Sequence, residues 1–173
     1  RLIMSLLFRL YIFVLFPLLI AKTINPDGEE ISVLLENINN NSKNYKYYEL
    51  DKTGLKYSHI GEFSKDDSVR IKIYIREIIA KDKKQKQSFK IDLSLNDRTK
   101  KLYYQNKWNS KHSLKDRPGW SVTEPGIWFI DIMYSEIKTL SIDRIPKSRE
   151  KLIIRAVVEK INRQKLIPRI IET

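Results

Sequence analysis

The residue types best suited to chemistry are scarce in this chain of 173 residues, which contains two histidines, His59 and His112, and no cysteine. The lack of cysteine excludes disulfides, thiolate metal sites and a cysteine nucleophile. Each histidine stands in a loop or strand-end context with no flanking motif, so neither their spacing nor their neighbours signal a metal site or an acid–base pair. No nucleophile elbow, zinc-protease helix motif, glycine-rich phosphate loop or calcium loop is present, and five glycines leave little for a phosphate cradle. Asp66 and Asp67 are adjacent carboxylates ahead of a strand. Neighbouring strand residues point to opposite faces, so this pair cannot share a substrate. The sequence therefore reads as no enzyme, with no catalytic residue, no metal ligand and no cofactor expected.

Recognition chemistry is better represented. Lys100, Lys101, Tyr103, Tyr104, Trp108 and Lys111 interleave cations with aromatic rings, a mixture that offers rigid contact area beside positive charge. Towards the end, Arg155 and Arg163 belong to a run between residues 147 and 169 that has eight lysines and arginines against two glutamates. The formal net charge of +12 favours anionic partners, whether an acidic protein or an anionic headgroup surface. These eight residues form the expected partner-binding set. A single-stranded nucleic acid fits the same chemistry, but the export signal described below counts against it, and no nucleic acid is expected.

Such side chains need a scaffold, and residues 68–96 supply its clearest part. Val69, Ile71, Ile73 and Ile75 alternate with Arg70, Lys72, Tyr74 and Arg76, and Phe89, Ile91, Leu93 and Leu95 alternate with Ser88, Lys90, Asp92 and Ser94. Strict alternation predicts two half-buried antiparallel strands, with odd positions on a core and even positions in water. Further strands are expected at 45–50, 55–60, within 100–108, on either side of a Pro125-Gly126 turn within 120–132, and at 137–142. Seven or so strands at this rhythm predict a mainly β fold, an antiparallel β-sandwich of immunoglobulin-like or jelly-roll-like type. Residues 96–119 are expected as a long, less regular segment that carries the basic and aromatic side chains.

The flanks read as helical. Ile31, Leu34, Leu35 and Ile38 recur at helical spacing after Asp27, predicting a short helix at about 28–39; Leu152, Ile153, Ala156, Val157 and Ile161 do the same, predicting a basic amphipathic helix at about 147–165. Residues 2–21 are almost wholly apolar, broken by Arg9, with acidic residues just beyond. That pattern reads as a signal peptide or signal-anchor helix and puts the body outside the cytoplasm, with the membrane itself as one partner. The expected divisions are 1–21 signal or anchor, 22–44 short helix and linker, 45–146 sandwich, and 147–173 helical tail. Asn40-Asn41-Ser42 matches a glycosylation acceptor.

The order of export signal, β strands and the Gly126-Ile127-Trp128 strand resembles the lumenal domain of p24-type cargo proteins, in which a Gly-aromatic strand completes a sandwich. This chain lacks that family's cysteine pair and carboxy-terminal span, so no residue role is carried over. The expectation is a non-enzymatic, exported, membrane-tethered binding or assembly module that recognises an acidic protein or anionic surface. The alternative is an accessory single-span subunit of a membrane protein complex. Oligomeric state is left open.

Overall fold

The computed structural model describes residues 21–37, 40–81, 87–106, 108–144 and 151–161. They form twelve strands: β1 (Lys22–Ile24), β2 (Ser32–Asn37), β3 (Asn40–Leu50), β4 (Leu55–Tyr57), β5 (Ser68–Ala80), β6 (Gln87–Leu95), β7 (Arg98–Asn106), β8 (Trp108–Leu114), β9 (Trp120–Thr123), β10 (Gly126–Met133), β11 (Leu140–Arg144) and β12 (Leu152–Ile161). A single 3-10 turn, Tyr134–Glu136, interrupts them. The mainly β expectation holds. The helices expected on both flanks do not: β2 and β12 stand in their place, and both belong to the main sheet.

β12 shows why the helical reading failed. Leu152, Ile154, Ala156 and Val158 are buried on one face, and Ile153 and Val157 are buried on the other. A strand covered on both faces loses its alternation, and its nearly continuous apolar run then matches a 3.6-residue period by accident. The β-branched Ile153, Ile154, Val157 and Val158 suit a pleated surface. β2 likewise turns Val33 and Leu35 inward, while Ile31 is exposed. The body is thus not confined to 45–146. β1, β2 and β12 extend it at both ends.

The strands make two antiparallel sheets. The smaller runs β4-β11-β6-β7; the larger runs β1-β12-β3-β2-β8-β9-β5-β10, and β12 also pairs with β5. That extra pairing closes β12-β3-β2-β8-β9-β5 into a six-stranded ring. Six of these strands send one another Val33 and Leu35, Tyr47, Ile78, Leu114, Val122 and Ile153, a packed plug with every strand of the ring contributing. A larger core fills the space between the sheets. It takes the odd positions of β5 (Val69, Ile71, Ile73, Ile75), the even positions of β12, and Phe89, Ile91, Leu93 and Ile142 of the smaller sheet. Each such side chain contributes about 1.5–3 kcal/mol relative to exposure.

β5 is the shared wall of both cores. Its odd positions are fully buried, as alternation predicts. Its even positions change role along the strand: Arg70 and Lys72 lie on the outer face, whereas Arg76 and Ile78 are buried because the sheet curls over them. Residues 120–133 do form two strands around Pro125, but the two do not pair with each other. β9 pairs with Ile78–Ala80 and β10 with residues 68–75 of the same β5 edge, so they form one interrupted strand. Pro125 lacks an N–H and breaks the ladder at that point. The orphaned groups are met locally: Thr123 Oγ1 accepts from the Glu77 N–H at 3.0 Å, and the Thr123 carbonyl accepts from Arg76 at 2.6 Å.

Candidate functional site

β10 presents Trp128, Ile130 and Ile132 towards the smaller sheet, directly opposite Ile73, Ile71 and Val69 on the strand beside it. The interior side chains pack on this row without covering it, and all three remain half-buried. Leu93 and Leu95 of β6 face it across a cleft of about 620 Å³, which Asn96, Asp97, Arg98, Lys100, Glu136 and Lys138 complete. Among the described residues β10 pairs only with β5, and β7 only with β6. Two sheet edges therefore flank the opening. The volume lies within the ordinary range for a small-ligand or side-chain pocket.

Asn96 sets the geometry of the floor. Leu95 pairs with Arg98, leaving Asn96-Asp97 as a two-residue hairpin loop, and Asn96 takes the left-handed φ of 55° that such a turn demands. Asparagine tolerates that conformation better than most residues. Its Oδ1 accepts from the Lys138 and Thr139 N–H groups at 2.7 and 3.2 Å, its Nδ2 donates to the Glu136 carbonyl at 2.7 Å, and its own N–H donates to the Thr139 carbonyl at 2.8 Å. The β6–β7 hairpin is thereby bound to the 136–139 connection, and both carry rim charges.

At the other end of the cleft wall, Tyr104 lies against Gly126. A Cβ there would run into the tyrosine ring, so glycine is what lets β7 and β10 approach. Tyr104 also packs on Phe89, with ring centroids 5.3 Å apart, and burial pushes its hydroxyl up to about 12. Arg98, Lys100 and Lys138 make no ion pair among the described residues, and they outnumber the rim carboxylates Asp97 and Glu136.

Strand alternation divides the eight expected partner-binding residues. Lys100 and Tyr104 share the inner face of β7 with the buried Leu102. Lys101 and Tyr103 point the other way, towards Asp92 at 3.9 Å and Lys90 at 5.7 Å from the ring centroid. Trp108 opens β8, its side chain outside the described part, and Lys111 is exposed further along that strand. Arg155 lies on β12 in the main sheet, on a different surface, and Arg163 falls outside the described residues. The segment 96–119 is not irregular: β7 and β8 fill most of it.

Asp67 forms a salt bridge. It accepts from Lys160 Nζ at 2.5 Å, and that hydrogen bond holds its carboxyl below the usual range. His59 is exposed, and no group of three histidine, aspartate or glutamate side chains among the described residues is placed to hold a metal ion. Among them, too, no helix is long and apolar enough to cross a membrane. Sequence reasoning missed Asn96, Gly126 and the Trp128, Ile130, Ile132 row as site residues. The Asn-Asp step between two alternating runs was an available turn signal.

No protein family matches the chain, and no curated protein sequence does. One solved structure is similar in part: the CBM22-1 and GH10 modules of a Clostridium thermocellum endo-1,4-beta-D-xylanase 10B, complexed with xylohexaose. It is 10% identical with a TM-score of 0.33, over 82% of this chain and 29% of that one, a likeness too slight to transfer fold or function.

Proposed function

We propose that this protein is a non-enzymatic binding module built on an antiparallel β-sandwich, which takes an extended acidic segment of a partner protein at the cleft between its sheets. The observation that carries this reading is the combination of an apolar row, Trp128, Ile130 and Ile132, with the cations Arg98, Lys100 and Lys138 at the mouth. An extended segment laid along the β10 edge adds main-chain hydrogen bonds, places alternate apolar side chains in the cleft and leaves its carboxylates facing the basic rim. The net charge of +12 steers such a partner towards this protein. On this reading residues 2–21 export the module and tether it at a membrane, with the binding body on the extracytoplasmic side.

The test uses the full chain in non-ionic detergent and two synthetic peptides, one alternating leucine with glutamate and one alternating leucine with lysine. The acidic peptide should bind saturably, perturbing the amide resonances of residues 126–133, and Ile130→Glu should abolish binding. Equal binding of both peptides, or perturbations confined to other strands, defeats the reading.

A further inference from the structure

The closed end of the large sheet holds an arginine in an unusual setting. Arg76 is 6% exposed, yet among the described residues it meets no carboxylate. Its Nε donates to the Tyr47 hydroxyl at 3.2 Å, its Nη1 donates to the Thr123 carbonyl at 2.6 Å, and its guanidinium lies 5.9 Å from the Tyr47 ring centroid. Desolvating a cation against neutral partners alone is costly, and an anion is the usual means of offsetting that cost.

A second guanidinium stands beside it. On β12, Arg155 lies opposite Tyr74, while Ile153 lies opposite Arg76, so the two arginines are diagonal neighbours on one face. Such positions are about 7–8 Å apart along the sheet, within reach of long side chains meeting at one group. Arg155 is held over two rings, 5.0 Å from the Tyr45 centroid and 5.7 Å from that of Tyr74, and its Nη2 donates to Thr23 Oγ1 at 3.2 Å. It too meets no carboxylate among the described residues. His112 closes the cluster, its ring 5.9 Å from Tyr45.

Of the acids nearby, three are committed elsewhere, and Glu77, next to Arg76 on β5, points to the opposite face of the strand. Glu49 pairs with Arg117, Glu159 with Lys72 at 2.7 Å, and Asp131 with Arg70 through two bonds of 2.6 and 2.7 Å. The arrangement separates two half-buried or buried guanidiniums from every one of those carboxylates and steadies them with tyrosine rings. Fork-shaped donors held this way match the oxygens of a carboxylate, sulfate or phosphate. We infer that the mouth of the six-stranded ring is a binding site for one compact, soluble oxyanion, gripped between Arg76 and Arg155. It is separate from the inter-sheet cleft and stands whether or not that cleft binds a peptide.

The test is titration of the full chain in non-ionic detergent with sodium phosphate, sulfate or acetate, at ionic strength held constant with chloride. The side-chain Nε–H resonances of Arg76 and Arg155 are the readout, with thermal midpoint as a second measure. At least one oxyanion should shift both resonances saturably and raise the midpoint. Tetrahedral ions against acetate then tell which oxyanion geometry fits. Arg155→Gln, at a half-exposed position that spares the fold, should weaken binding at least tenfold, and Arg155→Lys should restore only part of it. A response that never saturates, or equal binding by Arg155→Gln, overturns the inference. Arg76→Gln is the stronger variant where it folds.

Discussion

The two faces of β5 end in opposite kinds of place. On the odd face, the core between the sheets runs out before β10 is covered, leaving Trp128, Ile130 and Ile132 half-buried beside a cleft. On the even face, the large sheet closes on itself, and side chains from six strands fill the ring around Arg76. An apolar surface that lacks a cover and a buried cation that lacks an anion are both incomplete, in complementary ways. Strand register alone decides which residues meet which fate, because a shift by one position exchanges the faces.

The contrast is sharpest in packing, and the largest effect is expected there. Ile153 is fully buried in the ring, so Ile153→Ala should cost about 2–5 kcal/mol in urea unfolding. Ile130 faces the cleft half-covered, and Ile130→Ala should cost about 1 kcal/mol. Equal losses would mean that the cleft wall is packed as tightly as the ring, which would leave no room for a ligand. Next in size is Gly126→Ala, where the new methyl meets the Tyr104 ring; a loss of about 1–3 kcal/mol is expected from overpacking. Combining it with Tyr104→Leu should recover part of that loss, since the two changes share one contact.

Asn96 tests the cleft from its floor. Asn96→Ala removes side-chain bonds to three backbone groups and places an alanine at a φ of 55°, for an expected cost of about 1–2 kcal/mol. Asn96→Gly keeps the turn and should lose less stability. Both variants should weaken acidic-peptide binding, because the rim cations Arg98 and Lys138 are then no longer held together. A variant that loses stability but binds normally would show that the hairpin tie does not position the rim.

The same comparison explains what could be read in advance. β5 and β6 are legible because each has one covered face for most of its length, so apolar and polar residues alternate. β12 was not, since both faces are covered and Leu152-Ile153-Ile154 carries no period of two. Ring closure itself leaves only a small trace: the alternation of β5 lapses at Glu77-Ile78-Ile79, where the even face turns inward. Lys100 was identified with its neighbours as recognition chemistry, but assigning it to the cleft and Lys101 to the outside requires the register of β7. Arg76 looked like an ordinary wet-face residue. Nothing local distinguishes it from Arg70, which ends up in a bidentate pair with Asp131.

The smallest effect concerns protonation at the ring mouth. Burial, then the nearby positive charges of Arg76 and Lys111, lowers His112 from its ordinary 6.5. The unfolded chain therefore binds a proton at this residue more readily than the folded one, and stability rises with pH across the window between the two values. Above 6.5 His112 imposes no penalty; as pH falls below 6.5 a penalty accumulates until the folded value is passed. Thermal midpoints of the wild-type chain should thus drop between pH 7 and pH 5.5 by more than those of His112→Gln, which cannot titrate. The remaining slope belongs to other groups, Asp67 among them, whose depressed value makes its contribution fade only at lower pH. A carbon-bound proton resonance of His112, followed by NMR, gives the folded value directly and should lie under 6.5. Saturating sulfate should then move it upward, because an anion seated by Arg76 offsets the very charge that disfavours imidazolium. A His112 value that ignores sulfate while only the Arg155 resonance responds would place the anion on the Arg155 side, away from Arg76. That result would contradict a grip shared by both arginines.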